Sequence, residues 1–503
     1  MKKLKKLLIG LITLSIALTA VHIPVYAVDS IGFAADHDDY DYTDEDEDDN
    51  SIHTYGSLIY STYDDEAFIE GFLNNEPNVV IPGEINGKKV TSICVAAFSE
   101  CSGLESVVIS ENVQMICDSA FADCHNLKSI VIPESVRYIG DRAFYNCKNI
   151  KTINVPESVK YIGSEVFSCC LSLTDVNIPN NITDIGYGTF SSCRSMTHIE
   201  IPDSVKSIGE SAFYNCDLLE KIEIPESVES IGENAFLRCV NLKNIAIPQS
   251  VKYIGKSAFV STKWLEQKQK IDPLVIVNGI LIDGRICEGN IVIPDGVISI
   301  GESTFSSCRN LKSVVIPKSV TSIGEYTFSG CSSLESVTIP ESVTNVENSA
   351  FNNCGNLKSI IIPDGVVSIG ESAFENSGLK YIILPESVKS IGYRAFNNCK
   401  NLKNVFYKGT EEQWTNVKIN SDNSQFIESE FYYNADGTEK LVVKGDANND
   451  DKTNILDAAF IAKKVAQRRT SDIPLWVDYN NDNTINIMDA AAIAKDVAKR
   501  ILR

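Results

Sequence analysis

The chain has 503 residues, a formal net charge of −22 and 15 cysteines, and 44% of its residues are hydrophobic. At roughly 100–200 residues per domain, this length allows several folded units, and the composition excludes a wholly disordered or wholly membrane-embedded chain. The excess of 67 acidic over 45 basic residues argues against a nucleic-acid partner, because phosphate binding requires a basic surface, and favours cations instead.

The N-terminal segment has the pattern of an export signal. Four lysines within the first six residues precede an apolar run from Leu7 to Ala20, and Val25-Tyr26-Ala27 has the small-residue spacing of a signal-peptidase site. An uncleaved membrane anchor is the alternative, but the run is shorter than the ~20 residues that cross a bilayer. We therefore predict a signal peptide over residues 1–27, a secreted, extracellular protein and no transmembrane segment in the mature chain.

An acidic tract follows the signal. From Asp36 to Asp49 the chain reads DHDDYDYTDEDEDD, with ten carboxylates and no basic residue. Charge repulsion and the lack of apolar side chains prevent a core, so residues 28–51 are predicted to be a disordered linker. Loose calcium capture, or contact with a basic wall polymer, is the functional alternative.

A 23-residue repeat organises the middle of the chain. The unit from Glu134 to Pro156 reads ESVRYIGDRAFYNCKNIKTINVP, and neither a 3.6-residue nor a two-residue period fits it. A short strand-like ending before the proline, repeated at fixed spacing, predicts one coil of a solenoid that buries its apolar side chains against its neighbours. We expect roughly thirteen coils with one shared core and a parallel sheet. The recurring phenylalanines are Phe98, Phe121, Phe144, Phe167, Phe190, Phe213, Phe236, Phe259, Phe305, Phe328, Phe351, Phe374 and, after 22 residues, Phe396.

The strand part of the unit has a recognisable signature. The pattern L-x-x-I-x-I, as at Leu127, Ile130 and Ile132, stands beside S-V-x-x-I-G-x-x-A-F-x-x-C. Together they resemble the BspA-like bacterial surface class of leucine-rich repeats over about residues 75–408. The resemblance implies a leucine-rich-repeat solenoid with 23-residue coils and parallel β-strands. It also implies an extracellular adhesin or protein-binding module, without naming a ligand.

Two segments depart from the repeat. Residues 264–289 keep the register but read differently, which predicts an irregular double coil with a hairpin from Leu274–Val277 through Asn278-Gly279 to Ile280–Ile282. This insert is either a binding protrusion or a structural interruption. From Phe406 to Val443 the period is lost while aromatic residues persist, which predicts a cap over the open end of the core.

The cysteines follow the same register. An exported protein with 15 cysteines suggests a disulfide framework. Recurrence at one column favours the alternative, reduced thiols that fill one kind of core slot. An odd total without a C-x-x-C pair argues against zinc or redox use. Eleven cysteines follow the phenylalanine by three residues: Cys101, Cys124, Cys147, Cys170, Cys193, Cys216, Cys239, Cys308, Cys331, Cys354 and Cys399.

The residues between the paired strand apolars are predicted to point outward. They vary from coil to coil as a recognition surface would, although free variation on a solvated face gives the same pattern. His125 and His198 stand at non-repeating positions, which indicates a structural role rather than imidazole chemistry. The outward residues are Val131, Asn154, Asn177, Glu200, Glu223, Ala246, Val315, Thr338, Ile361 and Ile383.

The C-terminal region contains two copies of a twelve-residue loop, DANNDDKTNILD and, 32 residues later, DYNNDNTINIMD. Oxygen-bearing side chains at positions 1, 3, 5, 9 and 12, with the carbonyl of position 7, give the spacing of a calcium loop, in which the ion takes six to eight oxygens. Position 12 is Asp instead of the usual Glu. We therefore predict two Ca²⁺ ions, held by Asp446, Asn448, Asp450, Lys452, Asn454 and Asp457 and by Asp478, Asn480, Asp482, Thr484, Asn486 and Asp489.

Each loop continues into an amphipathic helix, DAAFIAKKVAQRR or DAAAIAKDVAKR, without a clear entering helix. Two such halves over residues 445–503 resemble a type I dockerin, a small all-α calcium-binding module. The resemblance implies that calcium folds the module and that it binds a cohesin module of a scaffoldin, the backbone of a cellulosome.

Positions 10 and 11 of the two loops, a Ser-Thr pair in many dockerins, are aliphatic here. The resemblance therefore implies a more apolar cohesin contact, and the near identity of the two halves would allow docking in two orientations. The alternative is that Ile455 and Ile487 are core residues. The implied cohesin contacts are Ile455, Leu456, Lys463, Ile487, Met488 and Lys495.

The predicted order is signal peptide (1–27), acidic linker (28–51), solenoid with N-terminal cap and insert (52–408), C-terminal cap or linker (409–444) and dockerin (445–503). The leading hypothesis is a non-catalytic subunit held at the cell surface through a scaffoldin, whose solenoid recognises a protein, cell-surface or carbohydrate target. The alternatives are a polysaccharide-degrading glycoside hydrolase subunit, which needs two opposed carboxylates in a cleft, and an inhibitor or regulator of such enzymes. The repeat leaves no stretch long enough for a catalytic domain, so no enzymatic activity is predicted.

Overall fold

The computed structural model describes residues 52–74, 76–435, 455–466 and 487–501. The predicted signal peptide and acidic linker lie outside these ranges. Within them, no helix combines the length and apolar character needed to cross a membrane.

The first described strands form an antiparallel meander that leads into the solenoid. The first three strands pair in chain order, and the third then pairs in parallel with the sixth. The meander thus covers the start of the core, and its strands belong to the same sheet as strands of the following coils. The strands are β1 (His53–Tyr55), β2 (Leu58–Tyr63), β3 (Glu66–Phe72), β4 (Asn78–Ile81), β5 (Glu84–Ile85) and β6 (Lys88–Ile93).

Most of the following coils contribute two short strands. One lies at the L-x-x-I-x-I pattern. The other, which the sequence did not predict, ends at the isoleucine of the I-G pair, as Tyr138–Ile139 does before Gly140. Up to the insert they are β7 (Ser106–Ile109), β8 (Met115–Ile116), β9 (Ser129–Val131), β10 (Tyr138–Ile139), β11 (Thr152–Ile153), β12 (Tyr161–Ile162), β13 (Asp175–Val176), β14 (Asp184–Ile185), β15 (Ser207–Ile208), β16 (Lys221–Glu223), β17 (Ser230–Ile231), β18 (Asn244–Ala246) and β19 (Tyr253–Ile254).

The two kinds of strand form two separate faces. The I-x-I face contains β4, β7 and β9, then β11 and β13, then β16 and β18; the I-G face contains β6, β8, β10 and β12, then β14, β15, β17 and β19. All of these neighbours are parallel, and equivalent residues pair, as Tyr138 does with Tyr161. The predicted parallel solenoid with 23-residue coils is confirmed.

The core consists of columns that run through successive coils. The phenylalanine rings stack with centroids 5.0–5.9 Å apart from Phe98 to Phe259, and nearly all are fully buried. Parallel stacking of this kind adds attraction beyond the burial of apolar area. In the unit from Glu134 to Pro156, all the predicted apolar positions are buried: Val136, Ile139, Ala143, Phe144, Cys147, Ile150, Ile153 and Val155.

The segment around each phenylalanine has an alternating backbone. Arg142 and Asn146, two residues on either side of Phe144, both have left-handed dihedrals, with φ of 56° and 59°. This turns alternate N–H groups toward the next coil: those of Arg142, Phe144 and Asn146 donate to backbone carbonyls there at 2.7–3.0 Å. The strain of about 1–2 kcal/mol for each left-handed residue is thus offset by a third ladder of backbone hydrogen bonds.

The insert begins with a helix that the sequence analysis missed, α1 (Lys263–Ile271). Its N-cap is Thr262, whose hydroxyl accepts a hydrogen bond from the Leu265 N–H at 3.1 Å, and the Trp264 ring packs on Phe259 at 4.7 Å. The predicted hairpin follows and is confirmed, with Asn278 and Gly279 both at positive φ in the turn. Its strands are β20 (Val275–Val277) and β21 (Ile280–Asp283).

The repeat resumes after the hairpin with the same two faces. The I-x-I face continues in β22, β24 and β25 and then β27, β29 and β31, and the I-G face in β21 with β23 and then β26, β28 and β30. The strands are β22 (Gly289–Val292), β23 (Ser299–Ile300), β24 (Leu311–Val315), β25 (Ser336–Thr338), β26 (Asn345–Val346), β27 (Ser359–Ile361), β28 (Ser368–Ile369), β29 (Tyr381–Leu384), β30 (Ser390–Ile391) and β31 (Asn404–Tyr407).

Residues 409–435 form one further, longer coil at the end of the solenoid. Phe426 stacks on Phe396 at 4.4 Å, and the Asn423 side chain bonds the Phe396 N–H and three backbone carbonyls. The final strands add one strand to each face. The elements are α2 (Glu411–Trp414), β32 (Lys418–Ile419), α3 (Ser424–Ile427) and β33 (Glu430–Tyr433).

The last described elements are the helices α4 (Ile455–Ala466) and α5 (Ile487–Ile501). Ala458 and Ile461 on α4 pack with Ala490 and Ile493 on α5. Both pairs have the three-residue spacing that places two side chains on one helix face, so each predicted amphipathic helix contributes its apolar face to a small shared core.

Candidate interaction face and calcium module

The outward column of the I-x-I face is largely exposed, as predicted. Nine of the ten predicted residues are exposed, from Val131 to Ile361. Ile383 is the exception and the prediction for it is wrong: it is buried with Phe406 and Ala435. Ala435, at the end of the terminal coil, packs at this position, and its backbone N–H donates to the Tyr407 carbonyl at 3.2 Å.

The exposed column is divided into blocks. Val80, Val108 and Val131 are aligned by strand pairing and are 41–63% exposed. A polar stretch follows, and after the insert Val292 and Val315 are again exposed and aligned. The face therefore presents two aliphatic ladders separated by a polar middle, an order that is visible only once the register is known.

One polar residue of the middle stretch has a structural role. The side chain of Asn177 accepts a hydrogen bond from the Val155 N–H at 2.8 Å and donates to the Val155 carbonyl at 2.6 Å. The amide thus continues the ladder beyond the end of β13. Outward position alone does not make a residue available to a partner.

The I-x-I face opens into grooves in its middle part. Residues 198–201 form no strand, although both neighbouring coils do. One groove of about 570 Å³ lies on one side of them, beside Asp175 and Asp203, and another of about 370 Å³ lies on the other, beside Lys221 and Glu223. Loss of regular pairing thus coincides with concave surface, where a partner would gain contact area.

A groove larger than these two lies against the insert. It has a volume of about 650 Å³, with β16 and β18 as its floor and α1 as its wall. The sequence analysis considered a protrusion or an interruption here. The structure shows a helix that interrupts the phenylalanine stack and also borders a cleft.

The two solenoid histidines differ in their surroundings. The Nδ1 atom of His125 lies 3.2 Å from the carbonyl oxygen of Asn146 in the next coil. Nδ1 of His198 lies 3.2 Å from the Thr197 hydroxyl, and its exposed ring lines both grooves of the middle stretch. The structural role fits His125, whereas His198 belongs to the exposed face.

The column cysteines are free thiols with a specific geometry. Cys147 Sγ donates to the Phe121 carbonyl at 3.2 Å, and the same contact, from a thiol to the phenylalanine carbonyl of the preceding coil, recurs along the core. Burial raises the pKa of Cys170 to about 12 and that of Cys331 likewise to about 12. The slot therefore requires a small side chain that can also donate a hydrogen bond.

Most of the predicted calcium ligands lie outside the described residues: Asp446, Asn448, Asp450, Lys452, Asn454, Asp478, Asn480, Asp482, Thr484 and Asn486. Asp457 lies in the first turn of α4. Asp489 lies in the first turn of α5 and is fully buried. The oxygen-only donor set of the two predicted loops fits calcium. Among residues 52–74, 76–435, 455–466 and 487–501, no three His, Cys, Asp or Glu side chains form a group that could hold a metal ion.

The predicted cohesin contacts cluster at equivalent places on the two helices. Helix α4 begins at Ile455 and α5 at Ile487, with Leu456 and Met488 next. Met488 is exposed. Lys463 and Lys495 are also exposed, each two residues after a buried isoleucine. The side chains of Ile455, Leu456 and Ile487 lie outside what the structure describes, so their assignment stays a prediction.

Parallel coils with buried Leu, Ile and Phe columns define a leucine-rich-repeat protein. The chain belongs to the family described as the BspA type leucine rich repeat region, which matches residues 77–197, 160–272 and 287–403. No curated protein sequence matches it.

Solved structures of bacterial leucine-rich-repeat proteins are similar to this chain. A leucine rich cell surface protein from Faecalibacterium prausnitzii A2-165 is 30% identical, with 74% of this chain and 98% of that chain covered and a TM-score of 0.45. A leucine-rich repeat protein from Bacteroides ovatus is 29% identical, with 76% and 99% covered and a TM-score of 0.42. One from Eubacterium ventriosum is 21% identical, with 65% and 94% covered and a TM-score of 0.39.

Proposed function

We propose that this protein is an exported, non-catalytic recognition protein whose solenoid binds a protein, cell-surface or carbohydrate target through the I-x-I face. The observation that carries the proposal is the contrast within each coil. Inward positions repeat the same side chains, whereas aligned outward positions change from Val131 to Asn154 to Glu200. A fixed backbone with changing exposed side chains gives a linear array of different contacts, as solenoids use for binding.

We further propose that residues 445–503 form a dockerin that attaches the protein to a cohesin on a scaffoldin, and thereby to the cell surface. Calcium, when bound, neutralises the loop carboxylates and fixes the loops to the starts of α4 and α5. The residues that would hold one ion run from Asp446 to Asp457, and those for the other from Asp478 to Asp489. The spacing of oxygen-bearing side chains in both loops supports this.

The cohesin contact is proposed for the starts of the two helices and the lysines that follow. Met488, Lys463 and Lys495 are exposed, so a partner surface could contact them. An exposed aliphatic side chain with flanking cationic groups is the composition of an interface with an apolar centre and a polar rim.

The test is a pull-down of the full-length protein from an extract of cell-surface proteins, with calcium and with EDTA. The Asp446→Ala/Asp478→Ala double variant is the matched control, because it removes the first ligand of each loop and leaves the solenoid intact. We expect cohesin-bearing proteins to be retained by the wild type in calcium and lost with EDTA or in the variant. Partners of the solenoid should remain bound in all conditions.

Three outcomes contradict the proposal. Retention of the same cohesin-bearing proteins by the double variant would remove the calcium-dependent attachment. A wild-type protein that captures nothing beyond those proteins would remove the recognition role of the solenoid. Hydrolysis of polysaccharide by the purified chain would favour a catalytic subunit.

A further inference from the structure

The cleft between α1 and the I-x-I face has a rigid wall. The backbone N–H of Trp264 donates to the backbone carbonyl of Leu242 at 2.8 Å and joins the helix to the preceding coil. Further along α1, Gln269 Nε2 donates at 2.9 Å to a carboxylate oxygen of Asp283, which is itself buried and paired with Arg285. The helix is therefore held at both ends, and a ligand would meet a preformed surface.

The floor of the cleft is low because of one residue. Ala246 is the smallest side chain among the outward residues of the column, and it belongs to the floor strand β18 and lines the cleft. Beside it Ile245 is only partly buried, and Ile271, the last residue of α1, is 83% exposed at the rim. The cleft thus offers an aliphatic surface large enough for a side chain of a partner.

The charged groups around this surface are mainly basic. Lys243 extends from the floor and Lys268 from the wall, and both are exposed. Lys221 is paired with Glu223, the acidic side chain among the lining residues, at 2.5 Å. Lys243 contacts Glu220 at 2.8 Å. Exposed pairs of this kind contribute little, so an incoming carboxylate exchanges for them easily.

We propose that this cleft, lined by Lys243, Asn244, Ala246, Gln267, Lys268 and Ile271, binds an extended acidic segment of a partner protein that carries an aliphatic side chain. The proposal rests on the recognition role of the solenoid and names the chemistry of one of its partners. The aliphatic side chain lies over Ala246 and against Ile271. Carboxylates on either side contact Lys243 and Lys268.

A polypeptide fits the cleft better than an anionic polysaccharide. Sugar rings are bound by exposed aromatic faces, and the aromatic ring of the cleft, Trp264, is buried in the core. Ile271 gives an aliphatic contact that a side chain matches and a hydroxylated ring does not. Positive charge on both sides of the cleft favours acidic residues of the partner. This local charge is opposite to the net charge of the protein, which is −22.

The experiment measures binding of a fluorescein-labelled synthetic peptide, Glu-Leu-Glu-Glu-Leu-Glu, to the full-length protein by fluorescence polarisation in calcium. The Lys243→Glu/Lys268→Glu variant is expected to weaken binding at least about tenfold, because it reverses both flanking charges. The matched control is Lys270→Glu/Lys312→Glu. Lys312 occupies the same repeat position as Lys243 on a coil without a helix wall, and Lys270 lies on α1 outside the cleft lining.

Three further arms complete the test. Ile271→Asp should weaken binding of the peptide, a peptide with Lys in place of Glu should bind at least about tenfold more weakly, and affinity should fall as salt is raised. Equal loss in the control variant, no binding by the wild type, or stronger binding of an oligogalacturonate would each overturn the proposal. Circular dichroism and the thermal midpoint check that each variant folds. If the peptide fails while the pull-down still recovers solenoid partners, the cleft assignment is wrong and the recognition role stands.

Discussion

The solenoid and the C-terminal helix pair bury their apolar side chains by different means. In the solenoid, columns of side chains continue through successive coils and give two long core clusters. In the described part of the helix pair, the buried apolar core is Ala458, Ile461, Ala490 and Ile493. A core of four small or medium side chains supplies little free energy, and domains of this size commonly need a metal or another cross-link. The repeat is therefore stabilised by its own copies, whereas we expect the helix pair to require bound calcium.

Removal of calcium should produce the largest difference in stability between the solenoid and the C-terminal helix pair. In calorimetry of the full-length protein, EDTA should abolish the transition of residues 445–503 and leave that of the solenoid, because only the loops lose ligands on chelation. The Asp446→Ala/Asp478→Ala variant should show the same loss without EDTA. A C-terminal transition that persists unchanged in EDTA would contradict calcium-dependent folding.

The ionisation of buried thiols at high pH should destabilise the solenoid and not the helix pair. The last cysteine is Cys399, so the helix pair has none, whereas burial raises the pKa of Cys170 to about 12 against an ordinary thiol value of about 8.5. Below that ordinary value the thiol is protonated in both states and the stabilisation is complete. As the pH rises toward 12, the unfolded chain loses protons that the folded chain keeps, so the free energy of unfolding falls.

The measurement is urea unfolding followed by circular dichroism at pH 8, 9.5 and 10.5. Cys170→Ala should reduce the slope of free energy against pH by the equivalent of about one proton. A free energy of unfolding that does not change over this range would contradict protonated, buried thiols.

Truncation of a core ring should have a smaller but local effect. Phe144→Ala is expected to reduce the free energy of unfolding by about 3–5 kcal/mol, because it leaves a cavity between two stacked rings. Val131→Ala, on the exposed I-x-I face, is the control and should change it by less than about 0.5 kcal/mol. Urea denaturation of both variants provides the comparison, and similar losses in the two would refute the division into inward and outward columns.

The repeat, the core positions and the hairpin could be predicted because each depends on local spacing. A phenylalanine every 23 residues needs the same environment in every coil, and Asn278-Gly279 favours a tight turn. Ile383 was predicted wrongly because its burial depends on Phe406 in the next coil and on Ala435 at the end of the terminal coil. Helix α1 was missed because its nine residues carry only a short apolar face and its cap, Thr262, resembles any loop residue.

Other features depend on relations between coils and have no signal within one unit. The left-handed residues beside each phenylalanine are Arg142 and Asn146 in one coil and Glu165 and Cys169 in the next, so residue type does not mark them. Apart from β6 and β21, the strands of the I-G face are only two residues long. The grooves arise where strands are absent or a helix is added.

The register of the columns also determines which changes in length the solenoid accepts. Residues 134–156 make one complete coil, so their deletion would join Pro133 to Glu157, which begins the next unit in the same place. Every stacked ring and paired strand would then meet an equivalent neighbour. Deletion of a single residue would instead displace a ring from its column. The gene is therefore expected to gain or lose whole units of 23 codons. In the protein, the meander and the terminal coil would still cover the two ends of the solenoid.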